Sequence, residues 1–180
     1  MLAWLKRLGN RRQTARSLYG SIVTQARSGT FYARWGVPDT AEGRLEMIVL
    51  HLVLVLRRLA REGRQGGQLA RALAETFVVD LDDTLREMTV GDLAVPRQVK
   101  RAVGLLQSRH AAYRAALDAR KEDQLAAAMR AALAPLRGAE SLDATRISAY
   151  ISEAAGGLDL QAGTDILAGR LGWPQNRLHE

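Results

Sequence analysis

The sequence predicts an all-α fold: a single helical domain of about six to seven helices, preceded by a basic N-terminal arm. Aromatic residues make up only 5% of the 180-residue chain, while Ala, Leu and Arg dominate, which is the composition of helices. Apolar residues recur at steps of three and four along most of its length, and strand-helix alternation does not appear. A chain this long buries a substantial core without crosslinks. With no cysteine it has no disulfides, thiolate metal sites or cysteine nucleophile.

The arm is assigned to residues 1–10 and the helical body to residues 11–178. Leu2, Leu5 and Leu8 recur at steps of three, with Trp4 beside them and Lys6 and Arg7 opposite, as in a short basic amphipathic turn that lies on a headgroup layer. From Arg11 to Arg27 the stripe Ala15, Leu18, Ile22, Ala26 marks the first firm helix, with Ser28-Gly29 as its stop. Phe31, Tyr32 and Trp35 then form an aromatic loop, read as a core plug or a binding surface. Gly36-Val37-Pro38 forbids a helix there, and Asp39 or Thr40 is placed to cap the next one.

The second helix, 41–62, is apolar nearly all round, so it belongs at the centre with His51 as a hydrogen-bonded core histidine. Arg57, Arg58 and Arg61 near its C-terminus suit the helix dipole, and 63–67, rich in glycine, is read as its end. Leu69, Leu73, Phe77, Leu81, Leu85 and Met88 continue the helical period over 68–88. A compact connection runs to Pro96, a first-turn proline. Val99, Val103, Leu106, His110, Tyr113 and Leu117 define the clearest helix of the chain. Further helices are read around 125–136, 142–151 and 158–171, with breaks at Gly156-Gly157 and Gly172-Trp173-Pro174.

Charge is distributed unevenly. The net formal charge is +7, and no acid precedes Asp39, whereas Lys6, Arg7, Arg11, Arg12, Arg16, Arg27 and Arg34 all do. The net charge therefore sits in the N-terminal fifth, and Trp4, Lys6, Arg7, Arg11 and Arg12 are candidates for contact with a membrane or other anionic surface. Three widely spaced histidines offer little to an imidazole-based metal or catalytic centre, so no cofactor is expected. The longest apolar run, 47–56, is half of what a membrane span requires. The opening residues carry their charges after a very short apolar stretch, unlike a secretory signal, although an Arg-rich, acid-poor start also resembles an organelle transit peptide.

The string FVVDLDDTL, 77–85, looks like the nucleophile motif of haloacid-dehalogenase-type phosphatases, which would make Asp80 the nucleophile and Asp82 the acid of a magnesium-dependent reaction. That chemistry needs the end of a strand in a parallel sheet. The helical stripe instead runs straight through the motif, and side chains at i and i+2 diverge on a helix. Read as a helix, 68–88 places Asp80, Asp83 and Glu87 on one flank, and Asp82 can pair with Arg86. Such a flank is either solvated or neutralised by a neighbour, or it receives a basic segment of a partner. A third reading makes the basic arm an RNA- or ribosome-binding element, although no nucleic-acid module accompanies it.

The segments FYARWGVPDTAEGRLEMIVLHLVLVLRRL (31–59) and FVVDLDDTLREMTVGDLAVPRQVKR (77–101) closely resemble the ubiquinol-cytochrome c chaperone family. The matching residues are Trp35, Gly36, Val37, Pro38 and Asp39, then Asp82, Asp83, Leu85, Arg86, Glu87 and Met88, then Val90, Gly91, Asp92, Leu93, Val95 and Pro96. The chain departs at Thr84, where the family pattern has Asn, and at Thr89, where it has Gly. The resemblance implies a non-catalytic assembly factor of respiratory complex III whose client is newly made cytochrome b, with a second assembly factor or the ribosome as further partners and no DNA. Partner contacts are expected at Asp80, Asp83, Arg86, Glu87, Asp92, Trp35 and Asp39. The short N-terminus favours a bacterial member acting in the cytoplasm against the inner face of the inner membrane.

Overall fold

The computed structural model describes residues 2–87, 95–119 and 121–174, with side chains from residue 9 onward and not for 85–87. Among them are eight helices and no strand: α1 (Leu2–Ala26), α2 (Gly29–Ala33), α3 (Ala41–Leu59), α4 (Gly63–Glu87), α5 (Val95–Asp118), α6 (Glu122–Leu133), α7 (Ala144–Leu160) and α8 (Gly163–Leu167). Six are long and two are single turns of five residues, so the all-α expectation holds.

α3 is the hub. Met47, Val49, Leu50, Leu52, Val53, Leu54, Val55 and Leu59 are all buried, so the helix is covered on nearly every side. Its start is fixed by Thr40, whose side-chain oxygen accepts from the Gly43 N–H at 3.1 Å, satisfying one of the free donors of the first turn. α3, α5 and α7 run one way: Glu46 meets Arg109 and Arg57 meets Asp118, while His51 meets Tyr150 and Arg57 meets Asp159. α4 and α1 run the other way, parallel to each other, because Arg11 bonds Gln68 at 2.6 Å and Tyr19 bonds Asp80 at 2.8 Å.

The bundle therefore has two distinct ends. At one, the last turns of α3, α5 and α7 meet the first turns of α4 and α6, and the N-terminal half of α1 lies alongside. At the other, α1 leads into α2 and the first turns of α3, α5 and α7 meet the last turn of α4.

Several boundaries differ from the sequence reading. α1 is one continuous helix from Leu2, without a break between arm and body, because no Pro or turn sequence interrupts the backbone there. The aromatic loop contains α2. Gly63, at φ +56, makes the turn that follows α3, as expected, but α4 begins at that same residue, so 64–67 are helical. A Cβ at Gly66 would stand 2.0 Å from the Leu59 carbonyl oxygen, so glycine here permits close approach of two helices. α7 likewise passes through Gly156-Gly157, held by Tyr150, Ile151, Ala154 and Leu158 in the core, which offset roughly 1 kcal/mol of helix propensity per glycine.

Candidate functional site

The described parts of the three motifs that carry the family resemblance converge on one end of the bundle. Trp35 to Asp39 lead into α3, the aspartates of 80–83 lie in the last two turns of α4, and Val95 opens α5. Two further contacts tie this end together. The Trp35 carbonyl accepts from the Asp143 N–H at 2.9 Å at the start of α7. Gly36 sits at φ +69 against the backbone of Ser141 and Leu142, where a Cβ would approach to 2.1 Å.

Beneath this surface lies a ring cluster. Phe31 meets Trp35 at 5.2 Å and Tyr150 at 5.1 Å between ring centroids, both edge-on, and His51 meets Tyr150 at 5.7 Å. Trp35 has no exposed surface, so among the two readings of the aromatic segment the free chain displays the core plug. Its indole N–H is buried without a hydrogen-bond partner among the described residues.

His51 has its bonds fully assigned by chemistry. Nδ1 lies 2.7 Å from the Met47 carbonyl, which can only accept, so Nδ1 carries the proton. Nε2 then accepts from the Tyr150 hydroxyl at 2.9 Å, and that oxygen accepts from the Gln25 amide at 2.9 Å. Burial pushes the imidazole down to about 4, so His51 is a neutral structural group. Trp173 packs edge-on against His51 at 5.2 Å and donates to Ser21 Oγ at 2.9 Å. His110 is only half-buried, lying at the edge of the core stripe where the sequence placed it inside.

The acidic flank of α4 is partly committed. Asp80 accepts from the Tyr19 hydroxyl, and burial together with that carboxylate raises the tyrosine above its ordinary range. Asp83 is exposed, and Val79, one turn back on the same face, is 59% exposed. Asp80 and Asp82 sit mid-helix, where their side chains diverge, so the strand-end geometry of the phosphatase motif is absent. Asp39 is exposed and paired with Arg44 at 2.6 Å, which holds its carboxyl below the ordinary value. The side chains of Arg86 and Glu87, and Asp92 altogether, lie outside the described residues.

The opposite end carries residues whose role the sequence reading assigned differently. Arg57 and Arg58 do more than complement a helix dipole; both are buried joints. Arg57 bonds Asp118 of α5 and Asp159 of α7, each at 3.0 Å. Arg58 donates to the carbonyls of Leu158 at 2.7 Å and Gln161 at 2.9 Å and pairs with Glu62, closing the C-terminus of α7. A cleft of about 580 Å³ opens beside these joints, lined by Arg57, Arg61, Asp118, Lys121, Glu122 and Asp159, among others. The signal available in sequence was only the pairing of two arginines at the end of an apolar helix. Of the basic arm, Arg11 bonds Gln68 and Arg12 is exposed, while the side chains of Trp4, Lys6 and Arg7 lie outside the described residues. Among the described residues no three His, Asp or Glu side chains form a metal-binding group, and no helix is long and apolar enough to cross a membrane.

Polar groups committed to joints, and motif residues gathered at one end, define an all-α helical bundle. The sequence matches the family described as "Ubiquinol-cytochrome C chaperone" over residues 33–173. The fold is similar to the crystal structure of a Cbp3 homolog from Brucella abortus, with a TM-score of 0.83 and 33% identity over 97% of both chains. No curated protein matches the chain. The chain belongs to the ubiquinol-cytochrome c chaperone family, and its role is that of a chaperone.

Proposed function

We propose that this chain is a non-catalytic assembly chaperone that binds newly made cytochrome b during biogenesis of respiratory complex III. The observation that carries the reading is the 97% coverage by a Cbp3 homolog together with the gathering of the family's motifs at one end of the bundle. Exposed Asp83, next to exposed Val79, offers a carboxylate and an apolar contact to a basic client loop, and Glu87 follows four positions on in the sequence. Positively charged loops are what a membrane protein presents on its cytoplasmic side. The basic arm, residues 1–10, holds the chaperone at the anionic inner face of the membrane, where such loops emerge. Capture shields the loop until cofactor insertion and subunit docking, and requires no bond-making by the chaperone.

The test is a tagged pull-down from gently solubilised cells with crosslinking. The expected result is enrichment of cytochrome b, crosslinked near Asp83, and loss of that enrichment on combined Asp83→Asn and Glu87→Gln substitution with the helical circular dichroism unchanged. Recovery of ribosomes or RNA in place of cytochrome b would transfer the function to the arm.

A further inference from the structure

α1 and α4 pack side by side in the same direction, and each turns a stripe to solvent. On α1 it runs through Arg12, Arg16, Gly20 and, just past the helix end, Arg27, all exposed. On α4 it runs through Arg71, Glu75, Val79 and Asp83, also all exposed, at steps of four. The bonds from Arg11 to Gln68 and from Tyr19 to Asp80 join positions 57 and 61 apart, so a residue of α1 is level with the one about 59 positions later on α4. Arg16 therefore stands level with Glu75, Gly20 with Val79, and Arg12 with Arg71, while Arg27 lies about 5 Å beyond Asp83.

This face is its own complement. A two-fold axis parallel to the helices keeps every residue at its level and sets α1 of one copy against α4 of the other. Val79, 59% exposed, then meets Gly20, where even a Cβ would have no neighbour within 4 Å. Arg16 meets Glu75 and Arg27 reaches Asp83, so each cation of the stripe finds an acid. Toward the arm end Arg12 would meet Arg71, and those like charges bound the contact and resist sliding. A lipid surface or a polynucleotide presents one sign of charge and cannot satisfy cations and acids standing side by side at the same level. The other open flank of α1 is covered by its own chain: Gly169 packs against Thr14 and Ser17, and Trp173 bonds Ser21, about 110° around the helix from the stripe.

We propose that the α1–α4 face is a self-association surface on which a second copy of this chain docks about a two-fold axis parallel to the helices, with Val79 seated on the partner's Gly20 and Arg16 and Arg27 paired with the partner's Glu75 and the partner's Asp83. The patch runs about 17 Å from Arg16 to Arg27 and about 20 Å across two helices, on the order of 350 Å² per copy against roughly 800 Å² for a standard stable interface. The dimer is therefore weak, exchanging and sensitive to salt. One consequence rests on the chaperone reading: Val79 and Asp83 are the client contact there, so the dimer and the client-bound monomer exclude each other, and self-association covers the exposed apolar side chain until a client arrives.

The test is equilibrium sedimentation of the full chain from about 10 μM to about 1 mM, in low and in high salt. The expected result is a reversible monomer and dimer equilibrium that weakens several-fold in high salt. Gly20→Leu separates docking from folding: its side chain enters open space and replaces a helix glycine, so the monomer should melt higher while dimerisation falls by about tenfold or more. Arg27→Asp and Asp83→Arg should each weaken the dimer alone and restore it when combined in one chain, because the reversed charges meet again across the axis. A monomer throughout the range, dimerisation unchanged by Gly20→Leu, or no rescue by the double reversal would overturn the proposal. Adding a synthetic peptide of a basic cytochrome b loop then tests the consequence separately. Release of monomer supports the competition, whereas a dimer that ignores the peptide sinks the competition and leaves self-association standing.

Discussion

At the arm end, Arg57 and Arg58 fasten α3 to α5 and α7 through guanidinium bonds to carboxylates and carbonyls. At the motif end, Phe31, Trp35 and Tyr150 close the core by ring contacts, over a neutral hydrogen-bond chain from Gln25 through Tyr150 to His51. One bidentate pair, Glu46 with Arg109, supplements the rings there, at 2.9 and 3.1 Å. The difference teaches how one bundle can carry two kinds of surface. Beneath the motif end the packing is largely apolar, and on α4 Asp83 stays exposed while Asp80 is bonded to Tyr19. At the arm end Arg57 and Arg58 are committed inward, while Arg12, Arg61, Arg64 and Lys121 are exposed.

The comparison can be broken or sharpened by substitution, beginning with the largest effect. Trp35→Ala should cost about 3–5 kcal/mol in denaturant unfolding, because it opens a cavity where the indole met Phe31 and Tyr150. A loss below about 1 kcal/mol would mean that the rings do not hold this end. Arg58→Ala should cost about 3 kcal/mol, since it strands the Glu62 carboxylate and two carbonyls at the end of α7. If urea midpoints stay unchanged, the joints at the arm end are ornamental.

Acid should act at the motif end. His51 has a folded value of about 4 against an ordinary 6.5, so below pH 6.5 the unfolded chain binds the proton more readily. The stability of the neutral imidazole is complete above about pH 6.5 and is lost as pH falls toward 4, reaching about 3 kcal/mol. The slope of stability against pH in that window should flatten in His51→Gln, and an unchanged slope would locate acid sensitivity elsewhere. Tyr19→Phe, which removes the hydroxyl from Asp80, should cost about 1 kcal/mol and is read by thermal melting. The smallest effect belongs to Arg44→Ala: its partner Asp39 is exposed, and the melting temperature should not move.

Legibility from sequence varied with the locality of the cause. Thr40 capping α3 and His51 buried on an apolar helix were both readable, because a cap depends on three neighbouring residues and a stripe on a fixed period. Residues 64–67 were misread because a glycine that ends a helix, as Gly63 does, and a glycine that admits a neighbouring helix, as Gly66 does, look alike in sequence. Only the Leu59 carbonyl, 2.0 Å from the position of a Gly66 Cβ, separates the two cases. The arginine joints were missed for a related reason: their partners Asp118, Leu158 and Asp159 lie 61 to 102 positions away.

By itself the sequence determined the all-α class, the central place of 41–59, the concentration of positive charge before Asp39 and the family. All follow from composition, periodicity and local motifs, which are properties of neighbours along the chain. The tertiary structure decided that α1 and α4 run parallel, that Trp35–Asp39, the aspartates of 80–83 and Val95 share one end, and that Asp80 is held by Tyr19. These depend on which distant helices meet and in which direction, and that is set by the mutual burial of apolar faces around α3.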